Sequence, residues 1–392
     1  MKKSSIFKLL AGAALVFSFG FYSAESDLIK INLSRQNDSA NQELPNQLDY
    51  SAVEEIYAKL KANFDGELET GELEDGLREG LVKAAGDPYT EFLDEQASKE
   101  FQENLNGSFE GIGAELGKKD ELIVIVSPIS GFPAEKAGLK ANDAIVEING
   151  EPAIDLSIIQ AVQKIRGPKG TEVELGIIRD GKRLDFEITR DTISIPSVET
   201  EKTSGNIGII KISRFGEDTT RLVREAAQKF KNEDVKGVVL DLRGNPGGLL
   251  DVSVEVASVW LAEGQTVLQE KRGDEIIKTY FAEGNPILNG VETVVLINEG
   301  SASASEIVAG ALSDHRIATL IGAKSFGKGS VQEVDQLDFG GMLKVTIARW
   351  YTPSGVNIDE NGIKPDKKVK ITDKDIENER DPQQKAAINL LK

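Results

Sequence analysis

The stretch that decides the fold runs from Asn298 to Gln332 and reads NEGSASASEIVAGALSDHRIATLIGAKSFGKGSVQ. It opens with small polar residues, continues as a short apolar helix and a strand-like run, and ends in a lysine flanked by glycines. A serine-rich turn that leads into a helix presents a hydroxyl beside free backbone N–H groups, and a lysine shielded from water can act as a base. The stretch therefore predicts a serine nucleophile with a lysine partner.

Three serines in this turn are candidates for the nucleophile. Glu306 follows Ser303 by three residues, and this spacing is also typical of the capping box that begins a helix. A hydroxyl at a helix N-terminus stands beside N–H groups that can stabilise an oxyanion, so the capping and nucleophilic interpretations of Ser303 are compatible. The residues alone leave Ser301 and Ser305 open as alternative nucleophiles.

Lys328 is the candidate base. A lysine base must be neutral, so its pKa has to fall from about 10.4 to about 7 or 8, which corresponds to roughly 4 kcal/mol against the ammonium. A loop lysine is usually solvated, but no acidic residue occurs between Asp314 and Glu333, and burial among apolar neighbours would produce such a fall. Gln332, four residues on, can hold the amine without adding a charge that would raise its pKa.

The composition of the 392 residues excludes several classes of function. Lysine and arginine number 46 against 65 aspartates and glutamates, which gives a formal charge of −19 and predicts that nucleic acid is not a partner. The chain has no cysteine, so thiol catalysis and disulfides are excluded. The single histidine, His315, is too few for a typical zinc hydrolase, and its position at the end of the serine helix favours a capping or surface role over a Ser-His pair.

The N-terminus has the pattern of an export signal. Three lysines precede the 14-residue apolar run from Leu9 to Tyr22, which is short for a membrane span. We expect residues 1–24 to be a signal peptide or, because Tyr22 fits poorly before a cleavage site after Ala24, an uncleaved membrane tether formed by residues 9–22. Residues 25–46 are polar and predict a flexible linker. The predicted location is the periplasm or the extracytoplasmic face of the cell envelope.

Residues 47–105 predict a small helical N-terminal region, because apolar residues recur at spacings of three and four. Its amphipathic faces are compatible with an independent subdomain or with the contact of a homodimer, and the sequence does not choose between them.

Residues 106–192 change to short strands and turns. FEGIGAEL is followed by PAEKAGLKANDAIVEINGEPA (133–153), the helix LSIIQAVQKI and the strand TEVELGII, and this order resembles a circularly permuted bacterial PDZ domain. The resemblance implies that the loop of Gly111, Ile112, Gly113 and Ala114 holds a peptide carboxylate, while the adjoining strand pairs with the peptide.

Residues 193–370 alternate apolar strands with helices, which predicts an α/β core with a parallel sheet covered on both faces. Sites in such sheets lie at the carboxyl ends of strands, where the loops RGNPGG and NEGSAS are expected. Residues 371–392 predict a C-terminal helical tail.

The order of motifs from Asp49 onward resembles the carboxyl-terminal processing peptidases of the S41 family, which are tail-specific serine proteases with a Ser-Lys dyad. The motifs that carry the resemblance are GDPYTEFL, the PDZ pattern, DLRGNPGG (241–248), GSASASEI (300–307), GKGSVQ (327–332), YTPSG (351–355) and GIKPD (362–366). The resemblance implies a ClpP/crotonase-like protease core with the PDZ domain inserted, and it assigns Ser303 as nucleophile, Lys328 as general base 25 residues later, and Gln332 as the residue that orients the lysine.

DLRGNPGG is also similar to the GNSGG turn of trypsin-like heat-shock proteases, but Pro246 stands where that turn needs its serine. Its glycines permit close approach of a substrate, so an amide of Gly247 or Gly248, together with that of Ala304, is the candidate oxyanion hole. Asp241 and Arg243 are expected to brace the loop.

We therefore predict an exported serine endopeptidase that recognises protein C-termini through its PDZ domain. The resemblance implies that it uses no metal or other cofactor and that its partners are proteins or peptides with exposed, apolar C-termini. The alternative from another class is a catalytically inactive PDZ scaffold of the cell envelope.

Overall fold

The computed structural model describes residues 44–119, 122–359 and 361–392. The predicted signal or tether (1–24) and most of the predicted linker (25–46) lie outside these residues. Within the described ranges no helix is long and apolar enough to cross a membrane.

The N-terminal region consists of three helices and one short strand, α1 (Ser51–Asn63), α2 (Thr70–Lys83), β1 (Glu91–Leu93) and α3 (Glu95–Asn106). Asp94 begins α3 by accepting a hydrogen bond from the Ala97 N–H at 2.7 Å, and Gly107 ends it with a left-handed φ of 61°. No residue of α1 or α2 is buried, so these two helices add little to the core of the chain.

The next region contains the antiparallel strands and two short helices of the expected PDZ domain. Its elements are β2 (Ser108–Gly111), β3 (Ala114–Lys119), β4 (Leu122–Pro128), α4 (Pro133–Ala137), β5 (Ala144–Ile148), β6 (Glu151–Pro152), α5 (Ile158–Ile165), β7 (Glu172–Arg179), β8 (Lys182–Thr189) and β9 (Asp191–Ser194). The main sheet has the order β3-β4-β5-β7-β8, which leaves β3 at one edge, and β2 pairs separately with β9. The free edge of β3 is where an added peptide strand would have to pair.

The protease core follows. Its elements are β10 (Val198–Lys202), β11 (Ile207–Ile212), α6 (Thr219–Asn232), β12 (Gly237–Asp241), α7 (Leu250–Ala257), β13 (Thr266–Arg272), β14 (Glu275–Phe281), β15 (Thr293–Ile297), α8 (Ala304–Asp314), β16 (Ala318–Gly322), β17 (Ser330–Gln336), β18 (Met342–Tyr351), β19 (Lys367–Lys368), α9 (Asp373–Glu377) and α10 (Pro382–Leu390). One sheet has the order β10-β11-β12-β15-β16-β19 and is parallel except for β10 at its edge. The predicted α/β class with a parallel sheet is confirmed.

Both faces of this sheet are covered, as the near-continuous apolar strands predict. One face buries residues such as Leu240 and Val295 against α6, α7 and α8. The other face buries Val239 and Leu296 against Ala387 and Leu391 of the C-terminal tail. The last helix therefore packs on the protease core.

A second, antiparallel sheet was not identified from the sequence. It has the order β1-β18-β13-β14, and β17 also pairs with β18. Through β1 the N-terminal region becomes part of this sheet, and a bulge between Val331 and Gln332 interrupts the β17–β18 ladder. The bulge lies beside the predicted orienting residue, where an irregular strand changes the direction of a side chain.

The candidate site lies where the two sheets meet. Strands β12 and β15 are parallel neighbours, so the loops that follow them emerge side by side at the carboxyl edge of the first sheet. These loops are RGNPGG and NEGSAS. The loop that carries Lys328 leads from β16 of the first sheet into β17 of the second.

Candidate active site

Ser303 occupies the N-cap position of α8 in a strained backbone conformation, with φ 52° and ψ −116°. A positive φ is uncommon for a residue with a side chain and is often found at functional sites. The Ser303 N–H donates to Oε2 of Glu306 at 2.9 Å, and its carbonyl accepts from the N–H of Glu306 at 2.8 Å. These bonds hold the half-buried serine at the start of the helix.

The two alternative serines are placed differently. Ser301 and Ser305 are fully buried, and their hydroxyls donate to the carbonyls of Leu242 at 2.8 Å and Asn245 at 2.9 Å. A hydroxyl engaged in this way fastens one loop to another and cannot approach a substrate. The geometry favours Ser303 over both.

His315 lies at the other end of the helix. It is the C-cap of α8, and the 11 residues of that helix separate it from Ser303 by roughly 16 Å. Its Nε2 lies 2.7 Å from the Thr266 carbonyl and its Nδ1 lies 3.2 Å from the Gln265 amide. The histidine therefore closes the helix, as the capping interpretation expects.

The Lys328 amine is held by the residue predicted to orient it. Its Nζ donates to Oε1 of Gln332 at 2.8 Å, and the Gln332 amide donates in turn to the Tyr89 carbonyl. The Tyr89 ring also lies beside the amine, with its centroid 5.1 Å from Nζ. Among the described residues no hydrogen bond joins Nζ to the Ser303 hydroxyl, so the amine rests on Gln332 in this conformation.

Burial lowers the pKa of Lys328 from 10.5 to about 8. The nearby ammonium of Lys344 lowers it further, whereas the carboxylates of Asp87 and Glu91 act in the opposite direction. The sequence predicts that apolar neighbours along the chain shield the amine, but Phe326 is 45% exposed. The groups that surround the amine come instead from the N-terminal region and from β18.

The backbones of the two predicted dyad residues are tied to one side chain. Oε2 of Glu306 accepts from the N–H of Ser303 at 2.9 Å and from the N–H of Lys328 at 3.0 Å. Because one oxygen accepts both bonds, the two main-chain nitrogens can be no further apart than these two lengths combined. The fold therefore brings Ser303 and Lys328 together.

The candidate oxyanion donors differ in availability. Gly247 packs against Ser303, since a Cβ added at this glycine would lie 2.8 Å from Cβ of the serine, but the Gly247 N–H donates to Oδ1 of Asn245 at 2.9 Å. In the part of the chain that the structure describes, the N–H groups of Gly248 and Ala304 have no acceptor. This geometry favours the Gly248 alternative, paired with Ala304, over Gly247.

The loop that carries these glycines is braced from two sides. Arg243 donates to both oxygens of Asp241 at 2.8 and 2.6 Å and to both oxygens of Asp381, next to the start of α10, at 3.1 and 2.8 Å. The buried Asn245 donates to the Ile212 carbonyl at 2.9 Å and accepts from the Ala302 N–H at 3.0 Å. Asp241 and Arg243 thus have the bracing contacts expected of them, and Asn245 joins the glycine loop to the serine loop.

The predicted carboxylate loop of the PDZ domain connects β2 to β3. The carbonyls of Ile112 and Gly113 accept from Ala134 at 2.7 Å and Ile129 at 2.9 Å, whereas their own N–H groups have no acceptor among residues 44–119, 122–359 and 361–392. On the neighbouring helix α5, Ile165 is buried and Ile158 and Val162 are half-buried. The loop therefore has two unused donors beside a partly open apolar helix face.

The PDZ domain also contacts the N-terminal region. Arg166, which follows α5, donates to Glu103 of α3 at 2.9 Å and stacks on Phe109 at 4.5 Å from the ring centroid. Arg166 therefore links the PDZ domain to the N-terminal region.

Three residues around the site were not recognised from the sequence as parts of it. Glu306 was identified only as a helix cap, and Asn245 and Tyr89 had no role. Tyr89 lies in GDPYTEFL, one of the motifs that carry the family resemblance, so its signal was present but had no partner along the chain. The described residues contain no group of three or more histidines, aspartates or glutamates that is placed to hold a metal ion.

Comparison with known proteins agrees with this architecture. The family model described as peptidase family S41 matches residues 206–369, and a PDZ domain model matches residues 124–179. The chain is 38% identical over 325 residues to the carboxy-terminal processing protease CtpA of Bacillus subtilis (strain 168), which covers 83% of this chain and 70% of that protein. It is 39% identical over 319 residues to a probable CtpA-like serine protease of Staphylococcus haemolyticus (strain JCSC1435), and the match covers 81% of this chain and 64% of that protein.

Solved structures of similar fold include a photosystem II D1 C-terminal processing protease, with 28% identity, a TM-score of 0.50 and coverage of 81% of this chain and 86% of that one. A putative S41 protease from Bacteroides fragilis NCTC 9343 has a TM-score of 0.55 at 16% identity, with coverage of 89% and 98%, and this likeness shows the fold alone.

Proposed function

The chain belongs to peptidase family S41, and from this premise we propose that it is a serine endopeptidase in which Ser303 and Lys328 form the catalytic dyad and the PDZ domain captures the C-terminus of the substrate. The observation that carries the proposal is a half-buried lysine with its pKa lowered to about 8, whose amine is held by a neutral amide beside the strained N-terminus of α8. Membership of a peptidase family removes the support for an inactive scaffold.

In the first step the Lys328 amine leaves Gln332 and accepts the hydroxyl proton of Ser303. Oγ bonds to the carbonyl carbon of the scissile peptide, whose oxygen becomes an oxyanion. The N–H groups of Ala304 and Gly248 stabilise this charge, because hydrogen bonds aimed at a developing oxyanion are stronger in the transition state than in the bound substrate.

In the second step the tetrahedral intermediate collapses and the C–N bond breaks. The lysinium gives its proton to the leaving amine, so the amine departs neutral and Lys328 is again a free base. Lys328 then deprotonates a water molecule that attacks the acyl-enzyme, and the lysinium returns the proton to Ser303 as the product acid leaves.

Capture of the substrate tail is proposed at the PDZ domain. The unused N–H groups of Ile112 and Gly113 suit a C-terminal carboxylate, and the free edge of β3 suits an extended peptide that pairs as an added strand. Ile158 and Val162 offer apolar surface beside that strand, which fits a substrate with an apolar C-terminal residue.

Two matched substrates test the proposal, one with a free apolar C-terminus and one with the same sequence amidated. The free tail should be cleaved with a KM about 10-fold lower, since it alone makes charge-assisted hydrogen bonds to the loop. Ser303→Ala should abolish cleavage of both. Undiminished cleavage by Ser303→Ala would overturn the dyad, and equal KM values would overturn tail capture alone.

We further propose that the enzyme is exported and acts at the periplasmic or extracytoplasmic side of the envelope, with residues 9–22 as a signal or membrane tether. The three lysines before this apolar run support the proposal. Cell fractionation with N-terminal sequencing distinguishes the outcomes: a soluble exported protein that starts near Glu25 indicates cleavage, a membrane-bound one that keeps residue 2 indicates a tether, and a protein of the cytoplasm contradicts export.

A homodimer through the N-terminal helices is the last part of the proposal. Ile56 on α1 and Leu77 on α2 are 60% and 54% exposed, and no residue of either helix is buried. Apolar side chains exposed on two consecutive helices favour contact with a partner. In sedimentation experiments the wild-type chain should be a dimer, and the double variant Ile56→Lys, Leu77→Lys should be a monomer. Identical sedimentation of the two would contradict this contact.

A further inference from the structure

Glu306 is the most completely enclosed carboxylate at the site. Its side chain is 0% exposed, and its two oxygens accept four hydrogen bonds. Oε2 accepts from the N–H groups of Ser303 at 2.9 Å and Lys328 at 3.0 Å, and Oε1 accepts from the Ser325 hydroxyl at 2.5 Å and the Gly327 N–H at 2.7 Å. A helix cap needs only the first of these bonds.

All four partners act as donors. Three are backbone N–H groups, and the Ser325 hydroxyl itself accepts from the Ile363 N–H at 2.6 Å, which directs its proton to Glu306. A protonated carboxyl would have to displace one of these donors, because it is surrounded by hydrogens and offered no acceptor. Burial raises the pKa of Glu306 and the four hydrogen bonds oppose that effect, so the arrangement fits the ionised form.

The four donors come from two separate segments of the chain. One is the serine turn at the start of α8, and the other is the loop from Ser325 to Lys328 that carries the amine. On the far side of this loop, the Lys328 carbonyl accepts from the Trp350 indole at 3.0 Å. The main chain of the lysine is therefore fixed from both sides. Among the described residues, two contacts join this loop to the serine turn: the Glu306 carboxylate, and a backbone hydrogen bond from the Phe326 N–H to the Ser301 carbonyl at 3.0 Å.

We propose that Glu306 is a positioning residue that sets the register between the nucleophile and its base by clamping the Ser303 turn to the Lys328 loop. The inference rests on the proposed dyad and extends it to a third side chain that touches neither substrate nor the reacting atoms. Its role goes beyond capping, since three of its four hydrogen bonds come from the lysine loop and one of them from the Lys328 N–H itself.

The clamp predicts the effect of Glu306→Gln. An amide has only one acceptor oxygen, so in either orientation its NH₂ group faces one pair of donors, either the N–H groups of Ser303 and Lys328 or the Ser325 hydroxyl and the Gly327 N–H. One of the two segments must move away. Since a displacement of about 1 Å can cost about 100-fold in rate, we expect kcat to fall by about 100-fold with KM changed less than about twofold, because tail capture occurs in another domain.

A second background separates positioning from general damage. If Glu306 acts by placing the lysine, the rate of fluorophosphonate labelling should fall about 100-fold on Glu306→Gln in the wild-type chain but less than about threefold in the Lys328→Ala chain, where there is no base left to place. Glu299→Gln, an exposed glutamate of the same loop, is the matched control and should leave both rates unchanged. Equal losses in the two backgrounds would overturn the proposal.

Ser325→Ala provides a test that removes only one of the four donors. It should fold even where Glu306→Gln does not, and it should lower kcat by about 10-fold, as expected for one hydrogen bond to a charged group. An unchanged kcat in Ser325→Ala would also count against the clamp. Failure of the dyad itself would appear differently, as absence of labelling at Ser303 in the wild-type chain.

Discussion

The charge beside Lys328 offers the sharpest test of its role as a base. In the structure Nζ donates to a neutral oxygen of Gln332 at 2.8 Å, and burial lowers the lysine pKa to about 8. At pH 7 about one lysine in ten is then neutral, against about one in 3000 for a lysine with the ordinary pKa of 10.5. Gln332→Glu introduces a carboxylate at the same place with almost no change in size.

An opposite charge in contact with an amine raises its pKa by about 1 to 3 units. The neutral fraction at pH 7 should fall by about 10-fold to 1000-fold, and kcat/KM should fall with it, since only the neutral amine accepts the serine proton. The wild-type rate should rise with pH through a midpoint of about 8. The midpoint for Gln332→Glu should lie at about 9 to 11, so much of the lost activity returns at high pH.

The assay is the pH dependence of peptide cleavage from pH 6 to 10. Gln332→Leu is the control, because it removes the contacts to both Lys328 and the Tyr89 carbonyl without adding charge. Its rate should fall at every pH and should not recover at high pH. A Gln332→Glu midpoint that stays at about 8 would refute the idea that Gln332 keeps the lysine neutral, and a wild-type rate independent of pH would refute the lysine base.

Two further predictions concern stability and close packing. Lys328→Met should raise the free energy of unfolding at pH 7 by up to about 3 kcal/mol, because the folded chain has to bury an ammonium there. The pKa of Lys328 is about 8 in the folded chain and 10.5 as the reference for the unfolded chain. Between pH 8 and pH 10.5 the unfolded chain therefore binds more protons than the folded chain, so the stability of the wild-type chain rises with pH. Above pH 10.5 the stability gained by the Met substitution disappears. Urea denaturation at pH 7 and above pH 10.5 measures the difference in the free energy of unfolding between Lys328→Met and the wild-type chain, with the exposed Lys324→Met as control. The same difference at both pH values would contradict the prediction. Gly247→Ala should slow labelling of Ser303 by about 100-fold, because its new Cβ would lie 2.8 Å from the serine Cβ and the φ of 107° disfavours a side chain. Gly76→Ala, with nothing within 4 Å, is its control, and an unchanged rate for Gly247→Ala would count against this close approach.

The first sheet and the proximity of Ser303 to Lys328 could be predicted from the sequence because their signals are local. Buried parallel strands such as Thr293–Ile297 are continuous apolar runs, and Ser303 and Lys328 end one contiguous unit. Strands β13, β14, β17 and β18 mix charged and apolar residues with weak alternation, and their pairing depends on partners far along the chain.

The surroundings of the Lys328 amine could not be predicted from nearby residues, because they also depend on partners far along the chain. The Tyr89 carbonyl that anchors Gln332 lies 243 residues away in sequence, and the carboxylates and ring beside Lys328 come with it. The choice between Gly247 and Gly248 depends on the direction of the Asn245 side chain, which no spacing of residues reveals. Glu306 was correctly identified as a cap, but its bonds to the lysine loop require the folded chain.

The central claim is that Lys328 activates Ser303 as a nucleophile, and covalent labelling with a fluorophosphonate tests it most directly. Peptide mass spectrometry of the labelled wild-type chain should find the adduct on Ser303. The adduct should be absent in Ser303→Ala and should form far more slowly in Lys328→Ala. Labelling of Ser301 or Ser305 instead, or labelling of Ser303 at the same rate without the lysine, would contradict the account.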